Sequence, residues 1–160
     1  MPEFVNGLPL HPLVVHFVVV LLPLAVLGSI VVAVWPKARE RFGWLVVAVA
    51  AVVTVLVPIA TNSGGKLKER VGPDNPQILR HEELGNMMIY WAIPLLVFVV
   101  ALMVVHELGK RGRINWQKPA LIAVAVLTVG AGVGAGIHVC RVGEAGSKAS
   151  YGGVIDTPPR

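Results

Sequence analysis

The sequence predicts an all-α integral membrane protein, folded as a four-transmembrane-helix bundle. More than half of the 160 residues are apolar and only 14% are charged, well below the quarter that is usual in soluble domains. The apolar residues fall into four long runs separated by short polar gaps. Each run is close to the length of ~20 residues that a helix needs to cross a bilayer. A chain of this length is expected to form one domain.

The four helices are predicted at about 13–35, 44–60, 77–106 and 119–140, within a membrane domain that covers residues 1–140. The first begins near Pro12, because proline is tolerated in the first turn of a helix. Turn-forming residues at 61–65 are expected to end the second helix. The third is longer than one span, so its first turns should lie outside the lipid. Residues 141–160 are predicted to form a polar, glycine-rich C-terminal tail.

Glycines recur at every second position in the predicted fourth helix, at Gly130, Gly132, Gly134 and Gly136. Small residues four positions apart allow two helix backbones to approach closely. Packing inside the bundle is the favoured interpretation, and a homo-oligomer interface is the alternative.

The net charge of +5 does not predict nucleic-acid binding, because the Lys and Arg residues lie in the gaps between apolar runs. This distribution is typical of a protein whose partner is the lipid bilayer. Seven of the fourteen basic residues lie in the short first and third gaps. The positive-inside rule places those gaps in the cytoplasm. We therefore expect a multi-pass protein of the cell inner (plasma) membrane with both termini outside.

Four of the five histidines are predicted to lie at the outer end of the bundle, namely His11, His16, His81 and His138. Ionisable residues at the edge of a membrane span often mark functional sites, and neutral imidazole binds transition metals and haem iron. We consider two forms of this hypothesis. In the first, the four histidines bind a transition metal. In the second, His16 and His81 ligate the iron of haem b, and Arg80 pairs with a propionate.

Structural roles compete with these ligand roles. His11 can cap the first helix, and His16 can bond a carbonyl that a proline kink leaves free. His81 is also compatible with an ordinary solvated helix start, and His106 is expected in the cytoplasmic headgroups. The sequence has no motif for covalent haem, phosphate binding or a zinc hydrolase. No catalytic residue is therefore assigned, and enzymatic activity stays open.

Several motifs occur in a fixed order along nearly the whole chain: His11-Pro12-Leu13-Val14-Val15-His16-Phe17, Thr61-Asn62, His81 with Leu84-Gly85, and Arg141-Val142-Gly143-Glu144-Ala145-Gly146 followed by Tyr151-Gly152-Gly153-Val154. In these motifs the chain resembles the DUF2231 family, a domain of unknown function. The resemblance implies a four-span bacterial membrane protein without an assigned reaction. Similar domains are fused to Rieske or cytochrome c modules, which implies a respiratory or redox membrane complex as a partner. Glu144 departs from the family, since relatives often have histidine there, and Asn62 stands where glycine is common.

Two functions follow as expectations. The first is a haem- or metal-binding, redox-associated membrane protein that takes part in electron transfer through a histidine cluster at its outer face. The alternative is a non-catalytic accessory or scaffold subunit of a membrane complex. Transport by one chain is not favoured, because no charged residue lies in the middle of a predicted span.

Overall fold

The computed structural model describes residues 4–5, 8–71, 75–112 and 117–155. Five helices account for nearly all of them: α1 (Leu10–Val34), α2 (Pro36–Val71), α3 (Pro76–Met87), α4 (Ile89–Lys110) and α5 (Gln117–Ile155). Before α1, the short strands β1 (Phe4–Val5) and β2 (Leu8–Pro9) pair in antiparallel register.

Because α3 and α4 follow one another within one span, the described residues contain four helical segments long and apolar enough to cross a membrane. The predicted four-helix bundle is therefore confirmed.

The four spans pack in a ring in which each helix contacts its two neighbours. The order around the ring is α1, α2, the α3–α4 span and α5, so α1 and α4 lie on a diagonal. Neighbouring helices run antiparallel, as two contacts of α1 with α2 demonstrate: His11 lies against Ala60, and Gly28 lies against Val46. We call the end of the bundle that holds the first turns of α1 and α3 the histidine end.

The interior is built from aliphatic side chains of all four spans. Leu22, Val53, Leu95 and Val99 are each at most 1% exposed and belong to one core cluster. Large apolar side chains also cover the outside of the bundle. Phe17, for example, is 61% exposed. An exterior as apolar as this is the surface that a hydrocarbon solvent requires.

Two helices extend well past their predicted ends. The turn formers at 61–65 do not stop α2, which continues to Val71, and α5 continues past Cys140 to Ile155. Much of the predicted C-terminal tail is therefore helical. The cause is tertiary packing. Gly64 and Gly146 each contact a histidine ring, so both glycines stay inside their helices and neither ends its helix in a turn. Tertiary contacts commonly override the weak intrinsic preference of glycine.

The glycines of α5 pack mainly inside the bundle, as the favoured interpretation predicts. A Cβ added at Gly132 or Gly136 would meet side chains of α1, and one at Gly134 would meet the ring of Trp91. Gly130 has no neighbour within 4 Å of such a Cβ.

The opposite end of the bundle is closed by a buried arginine. Arg39 is 4% exposed, and its guanidinium donates to the carbonyl oxygens of Val32, at 2.8 Å, and of Ala33. These are among the last carbonyls of α1, which have no partner within their own helix. One side chain thus satisfies the end of α1 and fixes the start of α2.

Candidate functional site

His11 joins the first turn of α1 to α2. Its Nδ1 lies 2.9 Å from the carbonyl oxygen of Ala60. The ring rests on Gly64, where an added Cβ would lie only 2.8 Å from Cε1 of the imidazole. The hydroxyl of the neighbouring Ser63 donates to the same carbonyl at 2.9 Å. Gly64 is therefore needed so that the ring can reach the backbone of α2.

His81 makes the same arrangement between α3 and α5. Its Nδ1 lies 3.1 Å from the carbonyl oxygen of Val142. The ring rests on Gly146, where an added Cβ would lie 2.9 Å from Cε1. In both cases the glycine follows the accepting residue by four positions, one helical turn later.

This agreement extends into the sequence, because Ser63-Gly64-Gly65-Lys66 on α2 corresponds to Ala145-Gly146-Ser147-Lys148 on α5. Within the preceding spans, Pro23 of α1 and Pro94 of α4 occupy similar positions. The chain thus contains two copies of one helical hairpin, α1–α2 and α3/α4–α5. The second copy has one more residue between its histidine and its proline, and the helix break at Met88 lies within that interval.

The hydrogen bonds define the chemical state of both rings. A carbonyl oxygen only accepts, so Nδ1 of each imidazole carries the proton and Nε2 keeps its lone pair. Neither Nε2 has a hydrogen-bond partner among residues 8–71, 75–112 and 117–155. An imidazole held through Nδ1–H by a backbone carbonyl is the usual arrangement of a metal-ligating histidine.

His11 and His81 belong to the same region of the structure. They stand on diagonally placed spans, and both lie at the histidine end. The bundle therefore places one histidine from each copy of the hairpin at the same end. The two free Nε2 atoms belong to equivalent positions of these copies.

His16 is placed differently. It is exposed on α1, and its Nδ1 bonds the carbonyl oxygen of Pro12 in the same helix. No contact of His16 with His81 is found among the described residues. The pairing of His16 with His81 as ligands of haem iron therefore stays a prediction.

His138 has a structural partner at the break between α3 and α4. The backbone N–H of Met88 bonds Gly85 instead of Leu84, which leaves the Leu84 carbonyl free. Nε2 of His138 donates to that oxygen at 2.8 Å, and the ring stacks on Trp91 with the centroids 5.9 Å apart. His138 is 4% exposed. The Nε2 of His138 therefore has a structural role, because it bonds a backbone carbonyl of α3.

The four predicted metal ligands are not gathered into one cluster. In the part of the chain that the structure describes, no group of three or more His, Cys, Asp or Glu side chains is arranged to hold a metal ion. His106 lies at the opposite end of the bundle, where its Nε2 is buried without a hydrogen-bond partner. The site that remains is the pair His11 and His81.

Charged groups surround this pair. Beside His81, Glu82 forms an ion pair of 2.6 Å with Lys68 of α2, which ties the two copies of the hairpin together. Arg80 is exposed and faces a groove between α3 and α5. Glu144 forms an ion pair of 2.6 Å with Lys148.

The sequence patterns used above do not identify Gly64 and Gly146, the two glycines on which the histidine rings rest. The available signal was the internal repeat of a small residue, glycine, a small residue and lysine. A self-similarity search detects a signal of this kind before any helix assignment.

Comparison with curated proteins and with solved structures gives no match. A family model described as a predicted membrane protein, DUF2231, matches residues 7–159, and the chain belongs to this family.

Proposed function

We propose that this membrane protein binds haem b at the histidine end of the bundle, with Nε2 of His11 and Nε2 of His81 as the ligands of the iron. The observation that carries the proposal is the matching state of the two rings. Each gives its Nδ1–H to a backbone carbonyl of the neighbouring helix and presents an unpartnered Nε2. The carbonyl also fixes the orientation of the ring, which a ligand requires.

The number of donors favours haem over a bare metal ion. A structural zinc site takes four protein ligands and a catalytic one takes three, and the described residues contain no group of three. Haem would supply four nitrogens of its own, so His11 and His81 would be sufficient as the two protein ligands of its iron. A haem held by these two residues would supply one-electron chemistry, and the proposed role is therefore electron transfer.

A location in the cell inner membrane, with the histidine end outside, belongs to the same proposal. Lys37, Arg39 and Arg41 lie in the first two turns of α2, at the opposite end of the bundle, where Lys110 ends α4 and Arg111 follows it. Positive residues of this kind are retained in the cytoplasm. The redox partner would then meet the protein on the outer side. Alkaline phosphatase fused to the C-terminus should be active. An inactive fusion would indicate the opposite orientation.

The test is the absorption spectrum of the full chain, purified in detergent from cells supplied with iron and a haem precursor. The wild type should show a Soret band and a reduced-minus-oxidised difference spectrum of six-coordinate haem. His11→Ala and His81→Ala should each lose this spectrum. His16→Ala and His106→Ala should keep it.

Three outcomes would contradict the proposal. A colourless, metal-free protein would favour the alternative function of an accessory or scaffold subunit. A colourless protein with stoichiometric bound metal would indicate a bare ion. Loss of haem in His16→Ala, with retention in His11→Ala, would return the ligand role to His16.

A further inference from the structure

A groove of about 290 Å³ lies between α3 and α5 at the histidine end. Leu84 and Ala145 form its apolar base. Its polar rim consists of Gln77 and Arg80 on α3 and of Arg141, Glu144 and Lys148 on α5. Three of these five groups are cations and one is an anion, so the rim carries an excess of positive charge.

The lone carboxylate does not neutralise the two arginines. Glu144 accepts a hydrogen bond of 2.6 Å from Lys148, so these two charges are matched within α5. Neither Arg80 nor Arg141 forms a hydrogen bond or an ion pair with another residue of the described ranges, although both are near enough to Glu144 to be attracted by it. Two guanidinium groups on adjacent helices thus face one groove with their donors available.

The first copy of the hairpin provides an internal comparison. At the positions that correspond to Arg80 and Arg141, it has Leu10 and Ile59, as the alignment of His11 with His81 and of Gly64 with Gly146 shows. The same fold is therefore built without cations at these positions. Since the scaffold does not need the two arginines, they point to a ligand.

The depth of the groove in the membrane indicates that the ligand is a lipid. Arg141 lies 23 residues after Lys118 on one helix, or ~35 Å along the helix axis at ~1.5 Å per residue. The hydrocarbon core of a bilayer is ~30 Å thick, so Arg141 stands at the level of the headgroups. Ile137 and Val133 lie one and two turns below it on the same face, and they are 61% and 48% exposed. An apolar strip thus leads from the groove into the hydrocarbon.

We propose that this groove binds the phosphate group of an anionic phospholipid, with Arg80 and Arg141 as the donors and with an acyl chain along Ile137 and Val133. Arginine suits this role because its planar fork of N–H groups matches phosphate oxygens. The proposed lipid site is separate from the imidazole pair and does not depend on haem.

The experiment uses the full chain in detergent and measures its melting temperature with added lipid. Phosphatidylglycerol should raise the melting temperature of the wild type more than phosphatidylcholine does. Arg80→Leu with Arg141→Ile, which installs the residues of the first copy, should weaken the apparent affinity for phosphatidylglycerol on the order of tenfold or more. It should keep the melting temperature measured without lipid.

The matched control is Arg41→Leu with Arg111→Ile, which removes two exposed arginines from the opposite end. This control should respond to phosphatidylglycerol as the wild type does. An equal loss in the control would reduce the effect to general electrostatics and would overturn the proposal.

Two further results would overturn it. Equal shifts with both lipids would show that the phosphatidylglycerol response is not specific. A full shift with inorganic phosphate alone would identify a soluble anion as the ligand. If the double variant fails to fold, Arg141→Lys supplies the same test, because it retains the charge and loses the planar fork.

Discussion

Replacing Gly146 with alanine tests the seat of His81 directly. The new Cβ would lie 2.9 Å from Cε1 and 3.1 Å from Nδ1 of the ring. Ordinary contacts begin near 3.4 Å, so the ring must retreat by about 0.5 Å from α5. That movement lengthens a hydrogen bond to Val142 that already measures 3.1 Å. The expected cost is about 1–3 kcal/mol from overpacking, of which the weakened hydrogen bond contributes about 1 kcal/mol.

Gly143→Ala is the matched control, because it lies on the same helix and its added Cβ meets nothing within 4 Å. Alanine is the better helix former, so this variant should be as stable as the wild type or more stable. Unfolding of both variants by dodecyl sulfate in mixed micelles, followed by circular dichroism, gives the two free energies of unfolding. Equal stability of the two variants would refute the close contact between His81 and Gly146.

Three other substitutions test contacts inside the bundle by the same assay. Gly134→Ala should be destabilising by about 1–3 kcal/mol, since its Cβ would lie less than 3 Å from an indole ring, whereas Gly130→Ala has open space and should not. His138→Leu leaves a buried carbonyl of α3 without its donor and should cost about 1–3 kcal/mol, while His138→Gln should recover part of that loss. Arg39→Met removes the donors to two carbonyls at the end of α1 and should cost several kcal/mol, whereas Arg41→Met at an exposed position should stay within about 0.5 kcal/mol.

The sequence predicts the number of spans well, because the apolar runs are long and the basic gaps between them are short. It predicts the ends of α2 and α5 poorly. Glycine is both a turn former and the smallest packing surface, and composition alone does not separate these two roles. The residues that decide between them, His11 and His81, are distant in the sequence from the glycines that they contact.

The rotation of each helix about its own axis is also hard to predict. His11 and His16 are five residues apart, which at ~100° per residue places them about 140° apart around α1. If one faces a neighbouring helix, the other must face away. An estimate of depth treats the two as equivalent, so it does not show that His11 bonds α2 while His16 stays exposed on α1.

The duplicated hairpin leads to a last prediction, concerning a position at which the two copies differ. Ser63 and Ala145 precede the two seating glycines, and both are buried, at 9% and 5% exposure. The Ser63 hydroxyl donates to the Ala60 carbonyl at 2.9 Å, beside the bond from His11. A carbonyl oxygen has two lone pairs, so the two donors do not exclude one another.

Each copy should therefore tolerate the residue of the other. Ser63→Ala reproduces the second copy and leaves the histidine bond intact, and Ala145→Ser adds a hydroxyl that can reach the Val142 carbonyl as Ser63 reaches its own. The free energy of unfolding of each variant should lie within about 0.5–1 kcal/mol of the wild-type value. Valine is larger than the residue that either copy has at this position. Ser63→Val and Ala145→Val should therefore each lower the free energy of unfolding by about 1–3 kcal/mol through overpacking. If Ser63→Ala proved as damaging as Ser63→Val, the hydroxyl would be indispensable to the first copy, and the equivalence of the two histidine seats would not hold.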